Sequence, residues 1–261
     1  MMSLIWQCRI AAVAFLRLQR YIELFRVKGN AVLKVIWATG TRTGSNFLVQ
    51  LTVKALGDIK YSNFDPGRTD MQNKNADPNF AFYAAKGRRM DYFIDHQIEG
   101  VKIEHCSNDL LLLELVSRFP HAKVMTVVRP LAQILESHSK IWKASQQSEK
   151  PRWMTPERAL TLWINDITQL EYVKRIGRLL AVDLNDGSGF DKDKFLEFLG
   201  AEKSAAFDKF AENWPVVNDV DKQIKKIGGV DTGEAIGKHW WEAKLPLINT
   251  IERRYRKLLE S

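Results

Sequence analysis

Cysteine is nearly absent from this sequence, and so are the patterns that would hold a metal. Only two of the 261 residues are cysteines, and two thiols can build neither a disulfide framework nor a four-thiolate zinc site. No His, Cys or carboxylate residues cluster at ligand spacing, so we expect no bound metal. These absences favour a chain stabilised by a buried apolar core, in a reducing compartment such as the cytoplasm.

Long apolar runs are lacking as well. The longest run near the start, residues 10–16, is bounded by arginines and is far shorter than the about 20 residues that a membrane-spanning helix needs. Residues 3–27 carry apolar side chains at helical spacing among arginines, which is typical of a basic amphipathic helix. We expect this helix, within residues 1–30, to pack on a single domain formed by residues 31–261. The alternative is contact with a membrane surface, which would make the protein peripheral to a membrane.

Acidic residues are the minority among charged ones. Against 39 Lys and Arg stand 31 Asp and Glu, so the formal net charge is +8. Such a charge suits an anionic partner: nucleic acid, a membrane surface, or a phosphorylated or sulfated small molecule. The basic residues are spread along the chain rather than clustered with aromatic ones, so we do not expect a nucleic-acid partner.

From residue 32 onwards, strand-like and helix-like segments alternate. This alternation predicts an α/β fold: one domain with a central, mainly parallel sheet flanked by helices. Segments 61–79, 143–156 and 213–238 are polar or rich in Gly, Pro and Asn, so we expect irregular loops there. The predicted strands are 32–38, 101–105, 122–128 and 178–183, and the predicted helices are 46–56, 81–94, 108–118, 131–142, 156–175, 190–199 and 245–259.

The first candidate site is the loop of residues 39–46, between a strand and a helix. Backbone N–H groups at a helix N-terminus and the helix dipole together favour an anion there. Gly44 lets the backbone approach that anion closely, and Arg42 adds a guanidinium fork that binds phosphate or sulfate oxygens. Ser45 and Asn46 are expected to cap the helix. The loop is P-loop-like without being a Walker A motif, because no lysine follows Gly44. An ordinary strand-to-helix turn is the alternative.

Two further candidate sites lie at predicted strand ends. Arg129 ends the strand 122–128, at the edge where open α/β sheets bind ligands, and Ser137 lies two helical turns further on. On the strand 101–105, Lys102 and Glu104 share one face, whereas His105 belongs to the other. A lysine can neutralise a leaving group, and a histidine or carboxylate can act as general base.

Together these sites resemble the sulfotransferases that use 3′-phosphoadenosine 5′-phosphosulfate. Residues 41–47 resemble their 5′-phosphosulfate loop, and Arg129 with Ser137 resembles their 3′-phosphate pair at the same spacing. Residues 236–245 are similar to the Gly-Lys-Trp segment that precedes the last helix of that family. The candidate donor-binding residues are therefore Arg42, Thr43, Gly44, Ser45, Asn46, Phe47, Arg129, Ser137, Lys238 and Trp241.

The resemblance implies a sulfotransferase-type fold and in-line transfer of a sulfuryl group to an acceptor hydroxyl or amine. Arg42 would hold the 5′-phosphate, and Lys102 would stabilise the bridging oxygen. His105 is the first choice for the general base, Glu104 the second, and His96 or an acidic residue within 58–99 the third. The acceptor class is a small molecule, a carbohydrate or a lipid.

Two other functions stay open at this stage. A nucleotide phosphotransferase would share the P-loop-like fold, but it should carry the Walker lysine that is missing here. A non-catalytic relative that only binds adenosine bisphosphate would have the same donor-binding residues. Donor binding without turnover on any acceptor would identify it.

Overall fold

The fold is a five-stranded parallel sheet with helices on both faces. The structure, a computed structural model, describes residues 33–40, 43–64, 88–104, 111–146, 155–183, 190–212 and 238–260. The strands are β1 (Val35–Thr39), β2 (Tyr61–Phe64), β3 (Gly100–Glu104), β4 (Lys123–Val128) and β5 (Leu179–Asp183). They lie in the order β2-β3-β1-β4-β5, and each pairs with its neighbours in parallel. The predicted α/β fold with a parallel sheet is confirmed.

At least one described helix lies between each pair of consecutive strands, as parallel strand connections require. They are α1 (Ser45–Leu56), α2 (Arg89–Asp95), α3 (Leu111–Arg118), α4 (Leu131–Gln146), α5 (Pro156–Arg175), α6 (Lys192–Leu199), α7 (Ala205–Glu212) and α8 (Lys238–Arg256).

Each face of the sheet has its own apolar core, because successive strand residues point to opposite faces. The first core joins the sheet to α2, α3, α4, α5 and α8, and the second joins it to α1, α6 and α7. Strands buried on both faces account for near-continuous apolar runs such as that of β4. The strand residues of the first core are Ile36, Ala38, Val101, Ile103, Val124 and Val128, and those of the second are Val35, Trp37, Met125, Val127, Leu180 and Val182.

The connection that leaves β1 runs across the sheet in the direction opposite to all the later connections between strands. The chain moves from β1 to β2 in one direction and from β2 through β3 and β4 to β5 in the other. Since crossovers between parallel strands are right-handed, opposite directions place the helices on opposite faces. Accordingly α1 lies on the second-core face, whereas α3 and α4 lie on the first-core face. The carboxyl end of β1 is therefore the topological switch point, where open α/β sheets form a ligand-binding crevice.

Several predicted boundaries were wrong. Residues 61–64 form the edge strand β2 rather than a loop, and α4 extends to Gln146 into the predicted loop 143–156. The helix α7 was not predicted, and α8 begins at Lys238 instead of 245. Pro246 lies inside α8, and an internal proline ordinarily argues against helix. The predicted helix in 1–30, with its packing and membrane contact, lies outside the described residues, as do 81–87 and the loop 213–237.

Candidate functional site

The connection between β1 and α1 is shaped by a glycine in the left-handed conformation. Gly44 has φ 98° and ψ 19°, a region that residues with a side chain rarely adopt. Its carbonyl accepts hydrogen bonds from the N–H groups of Phe47 (2.9 Å) and Leu48 (3.2 Å), so the helix begins directly after it. The prediction that Ser45 and Asn46 cap this helix was wrong, because Gly44 is the N-cap residue and no side chain caps α1. The dipole of α1 is thus directed at the switch point.

Contacts at Gly40 and Thr43 also hold the two ends of the loop in place. The Thr43 hydroxyl, fully buried, donates a hydrogen bond to the Gly40 carbonyl at 2.8 Å. A Cβ on Gly40 would lie 2.1 Å from a ring carbon of Trp163, so this position has no room for any side chain. Trp163 belongs to α5 and is 2% exposed. The indole of Trp163 therefore packs directly against Gly40, the first residue after β1.

Lys102 is the charged centre of the candidate site. It lies on β3 level with Trp37 of β1, and its side chain projects from the second-core face, the face that α1 covers. Although it is a lysine, it is only 6% exposed. Its ammonium donates to Oε1 of Glu104 at 2.7 Å and to Oδ1 of Asn46 at 2.8 Å. A buried ammonium needs such partners, because desolvation of an unpaired charge is costly.

The contact between these three side chains follows from local rules and from the fold together. Lys102 and Glu104 are two residues apart on one strand, so both project from the same face. Asn46 reaches them because it stands in the first turn of α1, which packs on that face. An ammonium has three N–H groups, and within the described chain only these two oxygens accept from it. Among the described residues, the third N–H group therefore has no acceptor.

Arg129 lies on the other side of the crevice, directly after β4. It is half-buried, and this burial lowers the pKa of its guanidinium below the ordinary value. The group nevertheless stays protonated at neutral pH, as arginine side chains in proteins do. A desolvated guanidinium at the carboxyl edge of a sheet is well suited to pair with phosphate oxygens.

The start of α4, next to Arg129, is held by the last helix. Oε2 of Glu252 accepts a hydrogen bond from the Leu131 N–H at 3.1 Å, so a side chain of α8 caps α4. Oε1 of Glu252 in turn accepts from the Arg256 guanidinium at 3.0 Å. This pair links α8 to the segment that carries Arg129. The sequence shows no signal for it, because the two partners are 121 residues apart.

Other predicted residues lie in different surroundings. The Phe47 side chain is 2% exposed and stacks on Phe210 in the second core, so only its backbone faces the loop. Ser45 is buried, and Ser137 is half-buried in α4. Lys238 and Trp241 belong to the first turn of α8. Arg42 and His105 lie outside the described residues.

His96, the third choice for the base, was a wrong prediction. It follows α2 and precedes β3, at the amino end of the parallel strands. Its ring stacks on Tyr92, and its carbonyl accepts a hydrogen bond from the Lys60 ammonium at 2.6 Å. Lys102 and Glu104 are at the opposite, carboxyl edge, so His96 has no part in the site.

Thr39, the last residue of β1, is the first residue of the predicted loop site 39–46, but no role of its own was predicted for it. It is level with Glu104 in the register between β1 and β3 and shares its face. It is 3% exposed, and its hydroxyl oxygen has no hydrogen-bond partner in the described chain. Burying a hydroxyl without a partner costs free energy, so such atoms are uncommon in native proteins.

The described residues contain neither a metal-binding cluster nor a membrane-spanning helix. Within the described ranges, no three His, Cys, Asp or Glu side chains come close enough together to hold a metal ion. In the same part of the chain, no helix combines the length and apolar character that crossing a membrane requires.

No protein-family model matches this sequence, and no curated protein matches it. Among solved structures, the fold is similar to that of mouse sulfotransferase SULT7A1 complexed with PAP. The sequence identity is 12% and the TM-score is 0.47, over 88% of this chain and 84% of that chain.

Proposed function

We propose that this protein is a sulfotransferase that moves a sulfuryl group from 3′-phosphoadenosine 5′-phosphosulfate to an acceptor hydroxyl or amine. The observation that carries the proposal is the Lys102 ammonium, held between Asn46 and Glu104 at the N-terminus of α1. It unites the phosphosulfate-loop motif and the lysine strand, two parts of the sequence resemblance that are 56 residues apart.

Binding of the donor would use both sides of the crevice. The 5′ end would lie at the N-terminus of α1, where the helix dipole and the Lys102 ammonium favour negative charge. Arg42, in the same loop, would add a guanidinium. The 3′-phosphate would pair with Arg129, beyond β4, and with Ser137. The placement of α1 and α4 on opposite faces leaves the crevice between their N-termini for the nucleotide.

In the transfer step, the bond between sulfur and the bridging phosphate oxygen breaks while a bond between sulfur and the acceptor oxygen forms. Negative charge develops on the bridging oxygen, and Lys102 would stabilise it there. Since this charge appears mainly in the transition state, the interaction would raise kcat rather than donor affinity. Asn46 would act as a positioning residue, because it fixes the ammonium without contacting the reacting atoms.

The acceptor proton needs a base, and Glu104 is the described residue that supports this role. Its carboxylate is next to Lys102 on the same face, and its side chain is 29% exposed, so an acceptor can reach it. Oε1 is held by Lys102, which leaves Oε2 to take the proton. His105, the first choice from the sequence, follows the last residue of β3 and is the competing candidate.

The proposal is tested by calorimetry with adenosine 3′,5′-bisphosphate and by labelled-donor assays on a panel of acceptors. Lys102→Met should lower kcat by roughly 10²–10³-fold with a smaller change in bisphosphate affinity. Glu104→Gln keeps an oxygen for the Lys102 ammonium but cannot take a proton, so kcat should fall by about 10²–10⁴-fold. A more acidic acceptor hydroxyl should partly rescue Glu104→Gln and should not rescue Lys102→Met.

Lys60→Met is the matched control. Lys60 is an exposed lysine directly before β2, at the amino edge of the sheet, where its ammonium donates to the His96 carbonyl. Its replacement should leave kcat and affinity unchanged. Failure of the wild-type protein to bind the bisphosphate would refute the proposal. Tight binding without turnover on any acceptor would instead identify a non-catalytic adenosine-bisphosphate-binding protein.

A further inference from the structure

We infer that the hydroxyl of Thr39 is a ligand-binding group of this site and donates a hydrogen bond to an oxygen of the anion held at the N-terminus of α1. The inference rests on the proposed function for the identity of that anion. It gives a binding role to the hydroxyl of a residue that the loop 39–46 contains but for which no function was predicted from the sequence.

The first step of the argument is the direction of the side chain. Trp37 and Thr39 are two residues apart on β1, so both project from the same face. The Trp37 indole donates to the Thr52 hydroxyl of α1 at 3.0 Å, which shows that this face is the one α1 covers. Thr39 is two residues nearer the carboxyl end of the strand. It therefore lies below the first turn of α1, at the level of Glu104.

The second step is the state of the hydroxyl. Thr39 is only 3% exposed, and its hydroxyl oxygen has no hydrogen-bond partner in the described chain. The neighbouring buried threonines differ: the Thr43 hydroxyl donates to Gly40, and the Thr52 hydroxyl donates to Leu48 and accepts from Trp37. An unsatisfied hydroxyl is destabilising in the free protein and gains a partner when a ligand binds. Its position beside an ammonium and a helix N-terminus indicates an anionic partner.

The test compares Thr39→Val, which keeps the shape and removes the hydroxyl, with the wild-type protein. Because the hydroxyl is unsatisfied in the free protein, its removal should leave Tm unchanged or raise it by about 2–6 °C. The same change should weaken binding of adenosine 3′,5′-bisphosphate by about 10-fold or more, since hydrogen bonds to charged groups are strong. Thr39→Ser retains a hydroxyl and should bind within about 3-fold of wild type. A Tm that is unchanged or raised, together with weaker binding of the bisphosphate, distinguishes a ligand-binding hydroxyl from a structural one.

Thr52→Val is the matched control. It removes a buried hydroxyl that has two partners within the protein, so Tm should fall while affinity for the bisphosphate stays the same. Unchanged affinity in Thr39→Val would overturn the inference and leave the proposed function standing. A clear fall in Tm for Thr39→Val would also overturn it, because the hydroxyl would then have a structural partner.

Failure of the proposed function gives a different result. If the wild-type protein does not bind adenosine 3′,5′-bisphosphate, the same comparison is made with inorganic pyrophosphate and with sulfate. Weaker binding of either anion to Thr39→Val would support the inference while the sulfotransferase proposal fails. Absence of binding of all three probes to the wild-type protein would refute both.

Discussion

Replacement of Gly40 by alanine tests whether the close packing of the Trp163 indole against this residue excludes a side chain. A Cβ at this position would lie 2.1, 2.4 and 2.8 Å from three ring carbons of Trp163. Ordinary carbon contacts are about 3.5–4.0 Å, so the closest overlap exceeds about 1 Å. Trp163 cannot easily move, because it is 2% exposed and its ring packs edge-on against Tyr255 at 5.0 Å.

We expect Gly40→Ala to lower the free energy of unfolding by about 3 kcal/mol, near the upper end of overpacking costs. For a domain of this size that corresponds to a fall in Tm of roughly 6–12 °C. Urea unfolding measures the free energy. Because the Gly40 carbonyl accepts the Thr43 hydroxyl, the displaced loop should also bind adenosine 3′,5′-bisphosphate more weakly.

A second substitution tests the cause. Trp163→Leu removes the ring that the new Cβ would meet, at a cost of about 2–4 kcal/mol for the cavity. If the clash is the cause, the double variant should be about as stable as Trp163→Leu alone, which is a coupling energy of about 2–3 kcal/mol. The reasoning is refuted if Gly40→Ala costs less than about 1 kcal/mol or if the two effects add within about 0.5 kcal/mol.

Two predictions concern charged groups. Arg129→Ala should weaken binding of adenosine 3′,5′-bisphosphate by about 10- to 100-fold, measured by calorimetry. Binding of adenosine 5′-phosphate should weaken much less. Equal losses for the two ligands would exclude a contact between Arg129 and the 3′-phosphate. Pairing with Arg254 lowers the pKa of Glu171 below its ordinary value near 4.5, so the stabilisation is complete above that value and is lost as the pH falls through the lowered pKa. Both side chains are 36% exposed, so Glu171→Gln should lower the free energy of unfolding by only about 0.5–1 kcal/mol at pH 7. Urea unfolding at pH 3 should show a smaller loss. A loss that is the same at both pH values would contradict this.

Local signals in the sequence were sufficient for most of the elements. The predicted helix 156–175 is the observed α5, because Thr155 and Pro156 form a typical helix start. The Thr155 hydroxyl accepts a hydrogen bond from the Arg158 N–H at 3.2 Å. The predicted strand 122–128 differs from β4 by one residue, since buried parallel strands are apolar along their whole length.

Alternation along one strand was also sufficient to place Lys102 and Glu104 on one face. In the structure the Lys102 ammonium donates to Oε1 of Glu104 at 2.7 Å, so the two side chains are on the same face. The short edge strand β2 escaped prediction because its polar sequence, Tyr-Ser-Asn-Phe, has no apolar pattern of its own. It is a strand because its backbone pairs with that of β3.

What the sequence alone determined, then, is the list of elements and the residue types at their ends: a glycine loop, a lysine strand and an arginine after a buried strand. Only the tertiary structure decided which of these meet. Asn46 contacts Lys102 across 56 residues, and Glu252 caps α4 across 121. These contacts depend on the strand order and on the face to which each crossover sends its helix, and no local pattern encodes either. The unsatisfied hydroxyl of Thr39 likewise has no sequence signal, because a missing partner is a property of the whole packed site.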